Sequence, residues 1–188
     1  ITPISGTSLS GFVPVVLDNG TIIVASHPSG GNQFFAAYSS AGLQLWNLAY
    51  TGTAGNVPSN PSYDLATGKT YSAAGPKLLE INSTGSDIIP VNVAPGYFAA
   101  TIVAISSDML YVGFNDNNTA SGSRLFAINK SDLTTEWSFS ADSRINNQVA
   151  VDKNDNIYFS TESGTLYSVK NDGNQNWKIE AGVASTIS

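Results

Sequence analysis

The chain contains no cysteine, one histidine and one methionine among 188 residues. Without cysteine there is no disulfide, no thiolate nucleophile and no cysteine-ligated metal. The single histidine, His27, lies in Ser26-His27-Pro28-Ser29 and reads as a loop residue rather than a catalytic base. Charge is scarce as well. Charged residues are 12% of the chain, about half the usual quarter. The formal net charge is −6 and no basic patch is present, so nucleic acid is not an expected partner. No apolar run approaches the roughly 18 residues that a membrane-spanning helix needs, so no membrane span is expected. His-Glu-x-x-His, Gly-x-Ser-x-Gly and the P-loop are absent. No position is assigned a catalytic, cofactor-binding or metal-ligating role, and no cofactor is expected.

Small polar residues take the place of charge. Ser (25), Asn (18), Gly (17) and Thr (15) together make 75 of the 188 residues. Val, Ile, Tyr and Phe supply the apolar content of a folding chain rather than a disordered one. Those residues recur in order. Trp137-Ser138-Phe139 and Trp177-Lys178-Ile179 lie 40 residues apart. Ahead of them sit Leu125 to Asn129 and Leu166 to Lys170, then Leu110 to Gly113 and Ile157 to Ser160, then Thr101 to Ile105 and Gln148 to Asp152. The same four runs occur at Val13–Leu17, Thr21–Ser26, Phe34–Tyr38 and Leu43–Leu48, with Trp46 in the last. A weaker copy covers Ser62–Ala66, Lys69–Ala73, Lys77–Asn82 and Asp87–Val91, where Ile88 or Ile89 takes the Trp position.

Each run is short, β-branched or aromatic, and alternates with period two. Gly, Asn, Asp and Ser separate the runs, as in Asp18-Asn19-Gly20, Ser83-Thr84-Gly85 and Asp172-Gly173. These residues tolerate positive φ and suit hairpin turns. The expectation is an all-β chain of four-stranded antiparallel units in tandem, which is the signature of a β-propeller. The blades fall at approximately 12–50, 60–92, 99–140 and 146–182 of a single domain spanning 1–188. Trp46, Trp137 and Trp177 read as wedges between blades, because an outer-strand Trp offers a broad apolar face to its neighbour. The second copy carries Pro58, Pro61, Pro76 and Pro90, so edge or irregular pairing is expected there.

The unit Asp152 to Tyr158, Gly164-Thr165-Leu166-Tyr167-Ser168-Val169 and Gly173-Asn174-Gln175-Asn176-Trp177 resembles the PQQ-like β-propeller repeat. Asp18 to Val24, Phe35 to Tyr38 and Gly42 to Trp46 resemble it too, as do Asp108 to Val112, Arg124 to Ile128 and Glu136-Trp137. The resemblance covers nearly the whole chain. It implies a propeller, usually of seven or eight blades in this family, of which four copies would be about half. Both ends of the chain look cut from a longer array, which implies assembly with a second copy or with remaining chain, and closure as a small four-bladed ring is the alternative. The family includes quinoprotein dehydrogenases, a lipoprotein of the outer-membrane assembly machinery and many secreted proteins. A quinoprotein dehydrogenase would need a vicinal cysteine pair and an acidic calcium site, and neither is found here. The resemblance therefore implies a non-enzymatic scaffold for protein–protein interaction, extracellular or at the cell envelope. The alternatives are a carbohydrate-binding or adhesive module and a fragment of a quinoprotein-like enzyme.

Asp152-Lys153-Asn154-Asp155-Asn156 has the alternating oxygens of a calcium loop, but Ile157 stands where such a loop needs Gly. A turn is the expected role. Candidate binding loops are those with His27 and Asn32, and with Asn115, Asp116, Asn117 and Asn118, since long loops on a scaffold edge commonly carry binding. For carbohydrate, Tyr63, Tyr71 and Tyr97 are the candidate platforms. Asn19, Asn82, Asn117 and Asn129 each begin an Asn-x-Ser/Thr triplet and are candidate glycosylation sites, in about the number that composition alone produces.

Overall fold

A computed structural model describes residues 13–26, 33–50, 58–85, 87–116, 118–119, 122–145 and 148–180. His27, Asn32 and Asn117 lie outside the described residues. The described residues contain strands and turns with no α-helix, arranged as four antiparallel sheets. The chain divides into two compact units, Ile1–Asn92 and Val93–Ser188, with two sheets in each.

In the first unit, β1 (Val15–Val16), β2 (Ile22–Ser26), β3 (Gln33–Tyr38) and β4 (Gln44–Tyr50) pair in chain order. So do β5 (Ser62–Asp64), β6 (Lys69–Ala74), β7 (Lys77–Ile81) and β8 (Ile88–Asn92). The turn residues explain the short connections. Between β1 and β2, Leu17 N–H donates to Thr21 O at 2.8 Å and Asn19 Oδ1 accepts from Thr21 N–H at 3.0 Å. The second sheet pairs without a register shift despite its prolines. Pro90 lies on the edge strand β8, where a missing N–H donor is tolerated.

In the second unit, β10 (Ala104–Ile105), β11 (Met109–Asp116), β12 (Arg124–Asn129) and β13 (Thr135–Ser140) form one sheet, to which β9 (Tyr97–Ala99) adds a strand along β11. The sequence runs do not announce β9. The last sheet is β14 (Ala150–Val151), β15 (Ile157–Ser160), β16 (Thr165–Val169) and β17 (Gln175–Glu180).

Each unit buries its core between its two sheets. In the first, Ala25, Phe35 and Tyr50 meet Ala74, Leu79 and Ile81, with Trp46 and Ile88 packed against them. In the second, Tyr111, Leu125 and Ala127 meet Ile157, Phe159, Tyr167 and Val169. Phe139 points edge-on at Tyr167 (5.4 Å, 69°) and at Phe159 (6.0 Å, 73°). Such pairs contribute about 0.5–1.5 kcal/mol each beyond their buried area.

One contact occurs in both units. Trp46 of β4 lies over Gly85, in the β7–β8 turn of the next sheet, and occupies the space a Cβ there would need. Trp137 of β13 lies over Gly173, in the β16–β17 turn, where a Cβ would come 2.9 Å from the indole. The Trp137 Nε1–H also donates to the Asn171 carbonyl at 2.9 Å. Both glycines have positive φ, +65° and +84°, so they suit the turn and the close approach together.

Candidate functional site

Polar side chains converge on one edge of the second unit. Asn115, near the end of β11, is 2% exposed. Its Nδ2 donates to the Ile145 carbonyl at 3.2 Å, and its Oδ1 accepts from Ile145 N–H at 2.9 Å. Ile145 in turn bridges to Thr161, just past β15. Thr161 and Thr165 both donate hydroxyl protons to Asp142, the first at 2.8 Å. The Ser163 amide caps Ser143 Oγ at 2.9 Å. Burial pushes the Asp142 carboxyl up, but hydrogen bonds from Thr165, Thr161, Ser163 and Tyr167 together outweigh it and hold the group below the usual carboxylate range.

The loop after β11 is exposed. Asp116 accepts from Asn118 N–H at 2.8 Å and from the Thr119 hydroxyl at 3.1 Å. The Asn118 backbone bond is the first cause of its lowered pKa. The sequence groups Asn115, Asp116 and Asn118 as one surface loop. The structure keeps Asp116 and Asn118 in that loop and turns Asn115 inward as a clamp on Ile145. No sequence motif marks Asp142, Thr161 and Thr165 as a group; the alternating hydroxyls of Thr161-Glu162-Ser163-Gly164-Thr165 are their one local signature.

The calcium-like string forms a turn. The Asp152 carboxylate accepts from Asn154 N–H at 2.8 Å, Asn156 N–H at 2.9 Å, Asn156 Nδ2 at 3.0 Å and the Tyr158 hydroxyl at 3.0 Å. The Asn156 side-chain bond, followed by its backbone bond, lowers the Asp152 pKa from 3.8 to about 2. Among the described residues, no group of three or more His, Cys, Asp or Glu could hold a metal ion. A depressed carboxyl contributes stability above its unfolded pKa of roughly 4 and loses it as pH falls through the folded value. The melting temperature of the chain should therefore drop more steeply between about pH 4 and 2 than that of Asp152→Asn. Parallel pH profiles for the two would show that these bonds do not favour the charged form.

Of the tyrosines considered for carbohydrate, Tyr63 and Tyr97 are partly exposed and Tyr71 is fully buried. Tyr63 packs against Leu17, Ile23 and Ala37, and Tyr97 sits edge-on to Phe126 at 6.0 Å. In the first unit, a groove of about 350 Å³ lies beside Leu48, Tyr50, Ile88 and Pro90, with Lys77 and Asp87 adding one charge of each sign.

The largest apolar exposure in the second unit is on β16 and β17. Trp177 is 37% exposed, Leu166 38% and Ile179 55%. Tyr158 lies 5.9 Å from Trp177, tilted by 47°. The register places Trp177 across from Ser168, as it places Trp46 across from Ala37 and Trp137 across from Ala127. Trp177 thus holds the position of the two wedged tryptophans without a sheet on top of it among the described residues. Asn19 is exposed in the β1–β2 turn, whereas the Asn129 Nδ2 donates to Glu136 at 3.0 Å.

No helix among the described residues is long and apolar enough to cross a membrane. No curated protein matches the chain in sequence. A family model, PQQ_2, described as outer membrane protein assembly factor BamB, matches residues 4–187. Solved structures with the same fold include BamB from Moraxella catarrhalis, at 13% identity and TM-score 0.64, covering 88% of this chain and 47% of that one. Sqt1 from Saccharomyces cerevisiae follows at 15% identity and TM-score 0.69, covering 88% and 45%. A europium-containing methanol dehydrogenase matches at 12% identity and TM-score 0.72, covering 89% and 41%. The chain spans about half the length of the solved structures it matches. These likenesses show the fold, and they include an enzyme. The repeated four-stranded sheets, the Trp-over-Gly contacts and the family match across nearly all of the sequence together place this chain in the PQQ_2 family of β-propellers, the family described for BamB.

Proposed function

We propose that this chain is a non-catalytic propeller scaffold, secreted or held at the cell envelope, that works by binding another protein. The observation that carries the reading is the apolar face of β16 and β17, with Leu166, Trp177 and Ile179 exposed together. A contiguous apolar patch on the surface suits protein association. The polar groups nearby support it, because the Asp142 and Asp152 carboxylates are already taken up by internal donors. The description of the family as an outer membrane protein assembly factor supports the envelope location.

A photo-crosslinking residue at Ile179, introduced in cells that make the protein, should yield a discrete protein adduct in the envelope or secreted fraction. The same residue at Leu65, 72% exposed in the β5–β6 turn, should yield none. Saturable binding of pyrroloquinoline quinone with calcium would overturn the reading in favour of an enzyme. Saturable oligosaccharide binding abolished by Trp177→Ala would overturn it in favour of carbohydrate recognition on the Tyr158–Trp177 pair. For the location, an intact mass above 19.7 kDa that a glycosidase removes, and that Asn19→Gln reduces, is the expected sign of passage through a secretory route.

A further inference from the structure

We propose that the groove of the first unit is a binding site for a short extended segment of a partner protein, one that carries an apolar side chain between an acidic and a basic residue. This surface goes beyond the β16–β17 face, which belongs to the other unit.

Both walls of the groove lie inside the first unit. One is the outer strand of the first sheet, at Leu48, Ala49 and Tyr50 of β4, and the other is the outer strand of the second sheet, at Ile88 and Pro90 of β8. Its volume of about 350 Å³ is at the small end for ligand pockets. That is room for one or two side chains rather than for an organic cofactor. The opening has a cause in the sequence. Trp46 corresponds to Trp137, and Ile89, four residues after Gly85, corresponds to Trp177, four after Gly173. Counting from these, the second unit has Phe139 where the first has Leu48, and Lys178 where the first has Pro90. Phe139 reaches Phe159 and Tyr167, and Lys178 stands across from Tyr167 with its ammonium 2.8 Å from Glu180. The first unit therefore leaves room where the second carries longer side chains.

The charges of the groove stand at its opposite ends. Asp87 immediately precedes β8, and Lys77 pairs with Asn92, the last residue of β8. The run from Ile88 to Asn92 is about 13 Å of extended chain. Neither Lys77 nor Asp87 forms an ion pair with another described residue. In a free amino acid the ammonium and carboxylate are too close together to reach both. An extended segment of five residues does reach, because its first, third and fifth side chains share one face. The middle side chain rests on Leu48, Tyr50, Ile88 and Pro90, and the outer two meet Asp87 and Lys77. Pro90 withholds a donor in the middle of the free edge of β8, so recognition rests on these side chains rather than on addition of a strand.

The test is an NMR titration of the isotope-labelled chain with two peptides, acetyl-Lys-Thr-Leu-Thr-Glu-amide and its reverse, acetyl-Glu-Thr-Leu-Thr-Lys-amide. The groove fixes the order of the charges in space, and the two peptides present it in opposite chain directions. The expected result is saturable shifts from one of them at the Leu48, Tyr50, Lys77 and Ile88 amides. Replacing the peptide leucine by serine should weaken binding by about fivefold or more, because the buried apolar contact is lost. Lys77→Glu should weaken it by about as much and turn the preference to acetyl-Lys-Thr-Leu-Thr-Lys-amide. Pro90→Lys, which gives the groove the residue of the second unit, should abolish binding while leaving the circular dichroism unchanged. No saturable shift at these amides with either peptide overturns the inference, and so does binding indifferent to both Lys77→Glu and Pro90→Lys. A benzophenone introduced at Pro90 that couples only within its own chain would show that this chain fills the groove itself, which overturns it as well. The Ile179 crosslink reads the other unit, so the scaffold reading stands or falls separately.

Discussion

Gly85→Val should destabilise the first unit by about 2–5 kcal/mol. Two separate effects add. An L-residue at φ +65° costs about 1–2 kcal/mol, and forcing a branched side chain into the Trp46 indole adds the roughly 1–3 kcal/mol typical of overpacking. The Cβ would overlap the ring itself, in a turn whose Gly85 N–H is tied to the Asn82 carbonyl at 3.1 Å, so small shifts do not relieve it. Gly68→Val is the control: φ is +72° there, but nothing lies within 4 Å, so only the backbone cost applies. Urea denaturation of the two variants separates the terms. Adding Trp46→Ala to Gly85→Val should cost less than the sum of the two single changes, with a coupling of about 0.5–3 kcal/mol. Additive effects would mean that the indole does not press on the turn.

Asn115→Ala should cost about 2–4 kcal/mol. The substitution removes two hydrogen bonds and leaves the Ile145 N–H and carbonyl without partners in a buried place. Ile145 anchors the segment that bridges to Thr161, so the edge built around Asp142 should loosen as well. Faster amide exchange at Ile145 and Thr161 would report this. Asn115→Asp discriminates further. Its carboxylate still accepts from Ile145 N–H but faces the Ile145 carbonyl with no proton, and burial raises its pKa. A raised folded pKa means that stability is regained as pH falls toward the unfolded value of roughly 4. Stability of Asn115→Asp that does not rise on mild acidification would show that the Nδ2 donor contributes little.

Local chemistry accounts for much of this protein. The alternation in Thr21 to Ser26 or Ile157 to Ser160 needs only period two and β-branched side chains to specify a strand. Turn residues such as Asn19-Gly20 and Asp172-Gly173 specify where each strand ends, since their positive φ and Asx bonds are properties of neighbouring residues. Tandem copies of that pattern are enough for an all-β repeat and for membership of the propeller family. The sequence by itself thus determined the repeated four-strand pattern and the family resemblance, while the added strand β9 along β11 came only with the structure.

What it left open depends on residues that meet across long separations. Gly42 and Trp46 look like one motif, yet Trp46 settles on Gly85, and Trp137 bonds to Asn171, 34 residues away. Asn115 reads as one of a run of exposed loop amides. It is buried because Ile145, 30 residues later, brings a backbone donor and acceptor that no nearer group satisfies. Asp142 has no motif of its own until the hydroxyls of Thr161 and Thr165 fold over it. Only the tertiary structure decided which tryptophans are wedged, which one is bare, and which polar side chains are spent inside. Each of those outcomes depends on what the neighbouring sheet places opposite, and a local pattern of alternation and turns carries no information about that.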